Sequence, residues 1–131
     1  MLINIEHCDR ICILRCKGRF VAGPEMEYMQ TKMDEIKRLA CTKLLADFRD
    51  VTSIGSMGVA FIVGAYTSVI RRPGGRFVLA GASPAVQHVL DLTRLSTVIP
   101  LASDLTSGLA VLGAEASMGA LALSQNASAN P

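Results

Sequence analysis

A mixed-sheet α/β sandwich of four to five strands is the architecture this sequence predicts, on three observations. Two short β-prone runs open the chain, apolar stripes at helical spacing then alternate with short apolar runs, and a glycine, a proline or a capping side chain punctuates most of the changes. Because β-helix-β crossovers favour parallel neighbours, the later strands are expected to run parallel.

The elements follow in order. Strands are expected over residues 3–6 and 11–16, with the polar His-Cys-Asp-Arg break between them as a hairpin turn. A loop over 17–23 is bracketed by Gly18 and Gly23. Pro24 then opens a helix at a position proline tolerates, with Glu25 and Glu27 near its positive end. That helix reaches about Leu39, and Met26, Met29, Met33 and Ile36 recur at spacings of three and four, so they are read as one buried stripe of ordinary core. A buried strand is predicted over 43–48, a loop over 51–58, and a helix over 57–71 stopped by Pro73 and Gly74-Gly75. Residues 76–80 form the next strand. Ser83 is an N-cap for a helix whose apolar contacts come from Val86, Val89, Leu90 and Leu92, 98–101 is a short last strand, and Asp104 caps a final helix to about Leu112.

Composition narrows the function. The 131 residues are half hydrophobic and 18% charged, enough for one core and too few for two domains. Thirteen basic and eleven acidic residues leave a net charge of +2, and the cations are scattered, so no nucleic-acid partner is expected. The first residues lack the basic-then-apolar pattern of a secretory signal, and the longest apolar stretch, 57–66, is about half of the ~20 residues a spanning helix needs. A cytoplasmic protein without membrane insertion is the expectation. Cys8, Cys12, Cys16 and Cys41 contain no C-x-x-C pair and the two histidines, His7 and His88, are far apart in sequence, so neither a metal site nor another cofactor is expected. The cysteines are read as buried or half-buried thiols, and a Cys12–Cys16 bridge is not expected, because four residues of strand are too long for a comfortable bridge.

Ser56, in Ile54-Gly55-Ser56-Met57-Gly58, joins a loop to an apolar helix and is an N-cap candidate. The unpaired N–H groups and the positive dipole end there would favour a hydroxyl oxygen or an attached phosphate. A phosphate adds nearly two negative charges, enough to block a complex without altering the fold. Met57 and the apolar run after it would offer a partner-docking patch if part of the first turn is exposed. Capping alone is the competing reading of Ser56.

At this point the chain resembles the anti-sigma-factor antagonists, which have the STAS fold. The resemblance rests on Leu44-Leu45-Ala46-Asp47-Phe48-Arg49-Asp50-Val51, on Ile54-Gly55-Ser56-Met57-Gly58, on Gly74-Gly75-Arg76-Phe77-Val78-Leu79, and on the stretch from Ser83-Pro84 to Thr93-Arg94-Leu95. It implies a STAS domain over 1–112, and the composition of the remainder, rich in Ala, Ser and Asn, predicts a flexible C-terminal tail over 113–131. It implies a partner switch as well: the antagonist binds an anti-sigma factor that is a serine kinase, a sigma factor is freed, and phosphorylation at Ser56 ends the binding. Phe20, Val21, Arg49, Gly55, Ser56, Met57 and Gly58 are the partner-binding residues it implies, and a phosphatase and a homodimer are compatible with it. Three positions depart from the family pattern: Gly55 stands for its usual Asp, Met57 for a second Ser or Thr, and Val21 for an acid.

The departures favour an alternative, a constitutive STAS subunit of a transporter ATPase or signalling assembly with Ser56 structural. A hydrolase reading fails on inventory, because no G-x-S-x-G elbow surrounds Ser56 and neither histidine has a recognisable orienting partner. Asp47 and Asp50 are read as turn caps rather than as an acid–base pair, and Gly55-Ser56-Met57-Gly58 lacks the lysine of a phosphate-binding loop.

Overall fold

Unbroken apolar runs such as Cys12-Ile13-Leu14 and Leu44-Leu45-Ala46 suit strands covered on both faces, and they form the centre of the sheet. The computed structural model describes residues 1–113 except 9, 22 and 24. In chain order the elements are β1 (Leu2–Cys8), β2 (Ile11–Phe20), α1 (Met26–Leu39), β3 (Lys43–Ile54), α2 (Ser56–Ile70), β4 (Arg76–Ala80), α3 (Pro84–Leu92), a 3-10 turn (Leu95–Thr97), β5 (Leu101–Ala102) and α4 (Leu105–Leu112). The five strands lie in the order β1-β2-β3-β4-β5, with β1 antiparallel to β2 and all later pairs parallel. This is the mixed sheet the sequence predicts.

Alternation along the strands divides the core. On one face Cys12, Leu14, Leu44, Ala46, Phe48, Phe77 and Leu79 pack with residues of α1, α2 and α3. On the other, Ile13, Leu45, Val78 and Ala80 pack against Leu109 and Leu112 of α4. Gly108 lets α4 approach, since a Cβ there would lie 2.6 Å from a Leu45 methyl. Both expected caps are present: the Ser83 hydroxyl accepts from the Val86 N–H at 3.3 Å, and the Asp104 carboxylate accepts from the Ser107 N–H at 2.8 Å.

Several expectations are corrected. Residues 17–20, expected as loop, continue β2, and 51–54 continue β3. The two segments pair with one another, Gly18 with Val51 and Phe20 with Ile54, through two register shifts, and Gly18 takes a φ of +95°. β3 meets β4 only over its first five residues, so the rest of β3 and the end of β2 form a two-stranded ribbon beyond the sheet. β5 starts at Leu101, because residues 95–97 coil into the 3-10 turn and leave Val98 exposed. Met26 and Leu92 are 54% and 69% exposed and do not belong to the core.

The thiol reading is corrected for two cysteines. Cys12 and Cys41 are joined as a disulfide with Cα atoms 6.1 Å apart, while Cys8 and Cys16 are free. The parallel pairing that sets Ile11 opposite Lys43 carries Cys41, just ahead of β3, to the start of β2. Burial pushes the Cys16 thiol far up, with the nearby Asp47 carboxylate adding to the effect. Pro24 and the expected tail beyond Gly113 lie outside the described residues, and Gly113 itself caps α4 at a φ of +74°.

Candidate functional site

The tip of the β2–β3 ribbon delivers the chain into α2, and there the loop residues converge. The Gly55 N–H donates to the Phe20 carbonyl at 2.8 Å, tying the exit of β3 to the end of β2. The Val21 side chain lies against Gly55, its methyl 3.5 Å from where a Cβ would stand. Helix α2 begins at once, its first bond running from the Val59 N–H to the Gly55 carbonyl at 3.0 Å.

The cap is thus Gly55, in extended geometry at φ −117°, and Ser56 is the first helical residue. This corrects the expectation that Ser56 caps the helix, because its backbone is already helical and its side chain projects outward. Ser56 is exposed, and its hydroxyl makes no hydrogen bond among the described residues. The N–H groups of Ser56, Met57 and Gly58 precede the first helical bond, so Ser56 stands in the first turn, at the positive end of the helix dipole. Met57 is half-buried beside it.

Two expected contact residues are structural. Phe20 is fully buried, its ring 5.5 Å from that of Phe48 and 5.9 Å from that of Phe61, so it supports the loop from within and cannot touch a partner. Gly58 is buried too, and a Cβ there would stand 2.6 Å from the Phe20 carbonyl oxygen and 2.9 Å from the Phe20 Cβ. Its missing side chain is what lets the first turn of α2 seat on the end of β2. Arg49 is exposed but lies five residues back along β3 from Ile54, roughly 16 Å at the ordinary strand rise. Gly81 packs against its backbone and Asp50 lies 3.9 Å from its guanidinium. The structure therefore brings together Val21, Gly55, Ser56 and Met57, and sets Arg49 apart.

Asp47 and Asp50 do not form a pair. Asp47 is buried in β3, accepting from the Arg49 N–H at 3.1 Å and standing 3.8 Å from Arg15, which in turn binds Glu6 at 2.8 Å; Asp50 is exposed. No group of three or more His, Cys, Asp or Glu side chains is arranged to hold a metal among the described residues, and none of their helices is long and apolar enough to cross a membrane. Sequence reasoning missed one feature here. Met26, Met29 and Met33 of α1 and Met57 of α2 line a single groove that starts beside Ser56. The available signal was the recurrence of flexible methionine at one helical spacing.

Comparison with known proteins agrees with the fold. Residues 3–108 match the STAS domain family model. An anti-sigma F factor antagonist of Paenibacillus polymyxa is 26% identical over 100 residues, which span 76% of this chain and 84% of that protein. Among solved structures, an anti-sigma factor antagonist from Mycobacterium paratuberculosis superposes with a TM-score of 0.74 at 18% identity, covering 85% of this chain and 92% of that one. The anti-sigma factor antagonist SpoIIAA in its unphosphorylated form gives 0.70 at 19%, covering 86% and 97%. SpoIIAA of Bacillus in its phosphorylated form gives 0.59 at 20%, covering 78% and 92%. With the sheet order, the helix placement and a family match over most of the chain in agreement, the chain belongs to the STAS domain family.

Proposed function

We propose that this chain is an anti-sigma-factor antagonist that binds an anti-sigma factor with serine kinase activity, and that phosphorylation at Ser56 ends the binding. The observation that carries the reading is Ser56 itself: exposed, free of hydrogen bonds among the described residues, and set on the first turn of α2 at the family's serine position. Val21, Gly55 and Met57 are the contact residues around it. A phosphate on Ser56 would stand at the first turn of α2, whose three N–H groups are unpaired among the described residues, so the fold tolerates it, while a partner apposed to Val21 and Met57 would have to desolvate nearly two negative charges. The switch is one of binding and not of shape. This reading is supported by the anti-sigma F factor antagonist among the relatives and by the phosphorylated form of SpoIIAA among the similar structures. In this scheme residues 1–112 are the functional domain, the chain works in the cytoplasm as a regulator without catalysis of its own, and a phosphatase resets it.

A second reading is favoured by Gly55, where the family usually carries an acid. In it the chain is a constitutive subunit of a transporter ATPase or signalling assembly, and Ser56 is never modified. The two separate on incubation with ATP and the histidine-kinase-like ATPase encoded nearest to it in its genome, followed by mass spectrometry, with Ser56→Ala as control. Phosphate mapped to Ser56, together with loss of the complex, is the expected result. A stable complex that never acquires phosphate would establish the constitutive role instead.

A further inference from the structure

Helices α1 and α2 pack side by side, and their outward faces leave a groove of about 520 Å³ between them. Its apolar lining is the methionines Met26, Met29, Met33 and Met57 with Phe61, and Glu27 and Gln30 of α1 also line it. Met26 is 54% exposed and Met57 half-exposed, so they form its open rim, while Met29 and Met33, 5% and 7% exposed, belong to the core and form its floor. Gly64 keeps the helices close, since a Cβ there would lie 3.0 Å from the Met33 methyl.

Past Gly64 the groove continues into a second cavity that shares Gly64 and Lys37 and is otherwise lined by Thr67, Ser68, Arg71 and Arg72, without an acid. Arg72 is engaged, donating to the Cys41 carbonyl at 3.0 Å and to the Lys37 carbonyl at 3.3 Å. Lys37 and Arg71 are exposed and form no ion pair among the described residues. The end beside Met57 is therefore mainly apolar with one acid, Glu27, on its α1 side, and the far end is cationic.

We propose that this groove seats an amphipathic helix of the anti-sigma partner, its apolar side chains on the methionines and its acidic side chains facing Lys37 and Arg71. The inference rests on the partner-binding reading above and extends the contact away from Ser56. Length fits: Met26 and Lys37 are eleven residue steps apart along α1, roughly 16 Å or three helical turns. Shape fits as well, because a third helix packs its ridges between two others, and flexible thioether walls adapt to its side chains. Charge complementarity at the Lys37–Arg71 end specifies an acidic occupant. Continuity with the switch comes through Met57, which is both a wall of the groove and the residue after Ser56. A phosphate on Ser56 would then face the apolar residue at the near end of the docked helix.

The test is the affinity of the full chain for the same genome-neighbouring ATPase, measured by calorimetry without ATP at low and high salt. Met26→Glu and the pair Lys37→Glu with Arg71→Glu are compared with Ser56→Asp, after thermal melts have shown each variant folded. Met26→Glu is expected to weaken binding at least tenfold, and the charge-reversed pair to do so at low salt with a smaller loss at high salt. If Ser56→Asp abolishes binding while the groove variants bind like the parent, the groove is not the seat and the switch stands. If the parent itself does not bind, the partner reading fails and this inference with it. Tight binding of laurate that the charge-reversed pair abolishes, with affinity for the ATPase unaltered, would assign the groove to a fatty acid and overturn the helix.

Discussion

Gly58→Ala probes the joint on which the site rests. An added Cβ would stand 2.5 Å from an Ile54 side-chain carbon, 2.6 Å from the Phe20 carbonyl oxygen and 2.9 Å from the Phe20 Cβ. Ordinary contacts need roughly 3.5 Å, so each is short by about 0.6–1.0 Å. Ile54 can swing aside, whereas Phe20 cannot. Its carbonyl is held by the Gly55 N–H at 2.8 Å, and its ring is wedged between Phe48 and Phe61. Overpacking of this kind costs about 1–3 kcal/mol, and the better helix propensity of Ala returns at most about 1 kcal/mol. A net loss of about 1–2 kcal/mol should lower the melting temperature by roughly 4–10 °C in a domain of this size. Circular-dichroism melts and urea titrations measure it. Gly55→Asp is the matched control, because at position 55 a Cβ meets nothing nearer than 3.5 Å at an ordinary φ, and a capping carboxylate should leave stability unchanged or raise it by a few tenths of a kcal/mol. A Gly58→Ala protein that melts at or above the parent's temperature would refute the account of how α2 is seated.

Three further outcomes are expected. Ile62, 1% exposed in the core, should not tolerate Ile62→Asp, which buries an unpaired charge at a cost of several kcal/mol and should abolish the cooperative melt. In native, non-reduced protein an alkylating reagent should label Cys8 quickly and Cys16 only on unfolding, since Cys16 is buried with its thiol held protonated while Cys12 and Cys41 are joined; two fast labels would contradict this. Hydrogen bonds from the Ser107 N–H and hydroxyl hold the Asp104 carboxyl below its usual range, and bonds from Ser96 and Gln87 do the same for Asp91. Depressed carboxyls stabilise the fold above their unfolded values and lose that contribution as pH falls through the folded ones, so stability should decline as pH drops below about 4. Asp104→Asn should flatten the acid limb of a stability-versus-pH curve, and an unaltered limb would count against the cap.

Legibility tracked how local each signal is. The caps at Ser83 and Asp104 and the stripe Met29, Met33, Ile36 are decided within a few residues, and they could be read directly. The ribbon could not, because residues 17–20 become strand only by pairing with 50–54, some thirty residues on, and Gly18 had signalled a loop. Cys41 met Cys12 through the same long-range pairing. At the site, the motif placed Ser56 correctly at the start of α2 but missed the cap by one residue, since a glycine N-cap carries no side-chain mark. Phe20 looked like a docking residue because it sat in an expected loop, and the same ribbon turns it into core.

That one-residue shift bears on how a phosphate would be held. Were Ser56 the cap, modifying it would remove a hydrogen bond to the helix. As the first helical residue it contributes none, and the three N–H groups of the first turn have no partner among the described residues. Gly55 sharpens this, because an Asp in its place would put a carboxylate over the same N–H groups, in competition with a phosphate and of the same charge. The missing acid thus favours retention of a phosphate by the fold, whatever it does to recognition by the kinase. Phosphorus NMR titration of the Ser56-phosphorylated protein tests the point: the second ionisation should lie below that of a free phosphoserine peptide, and Gly55→Asp should move it upward. An ionisation equal to the peptide's in both proteins would show that the helix end does not hold the phosphate, leaving repulsion at the partner surface as the only means of switching.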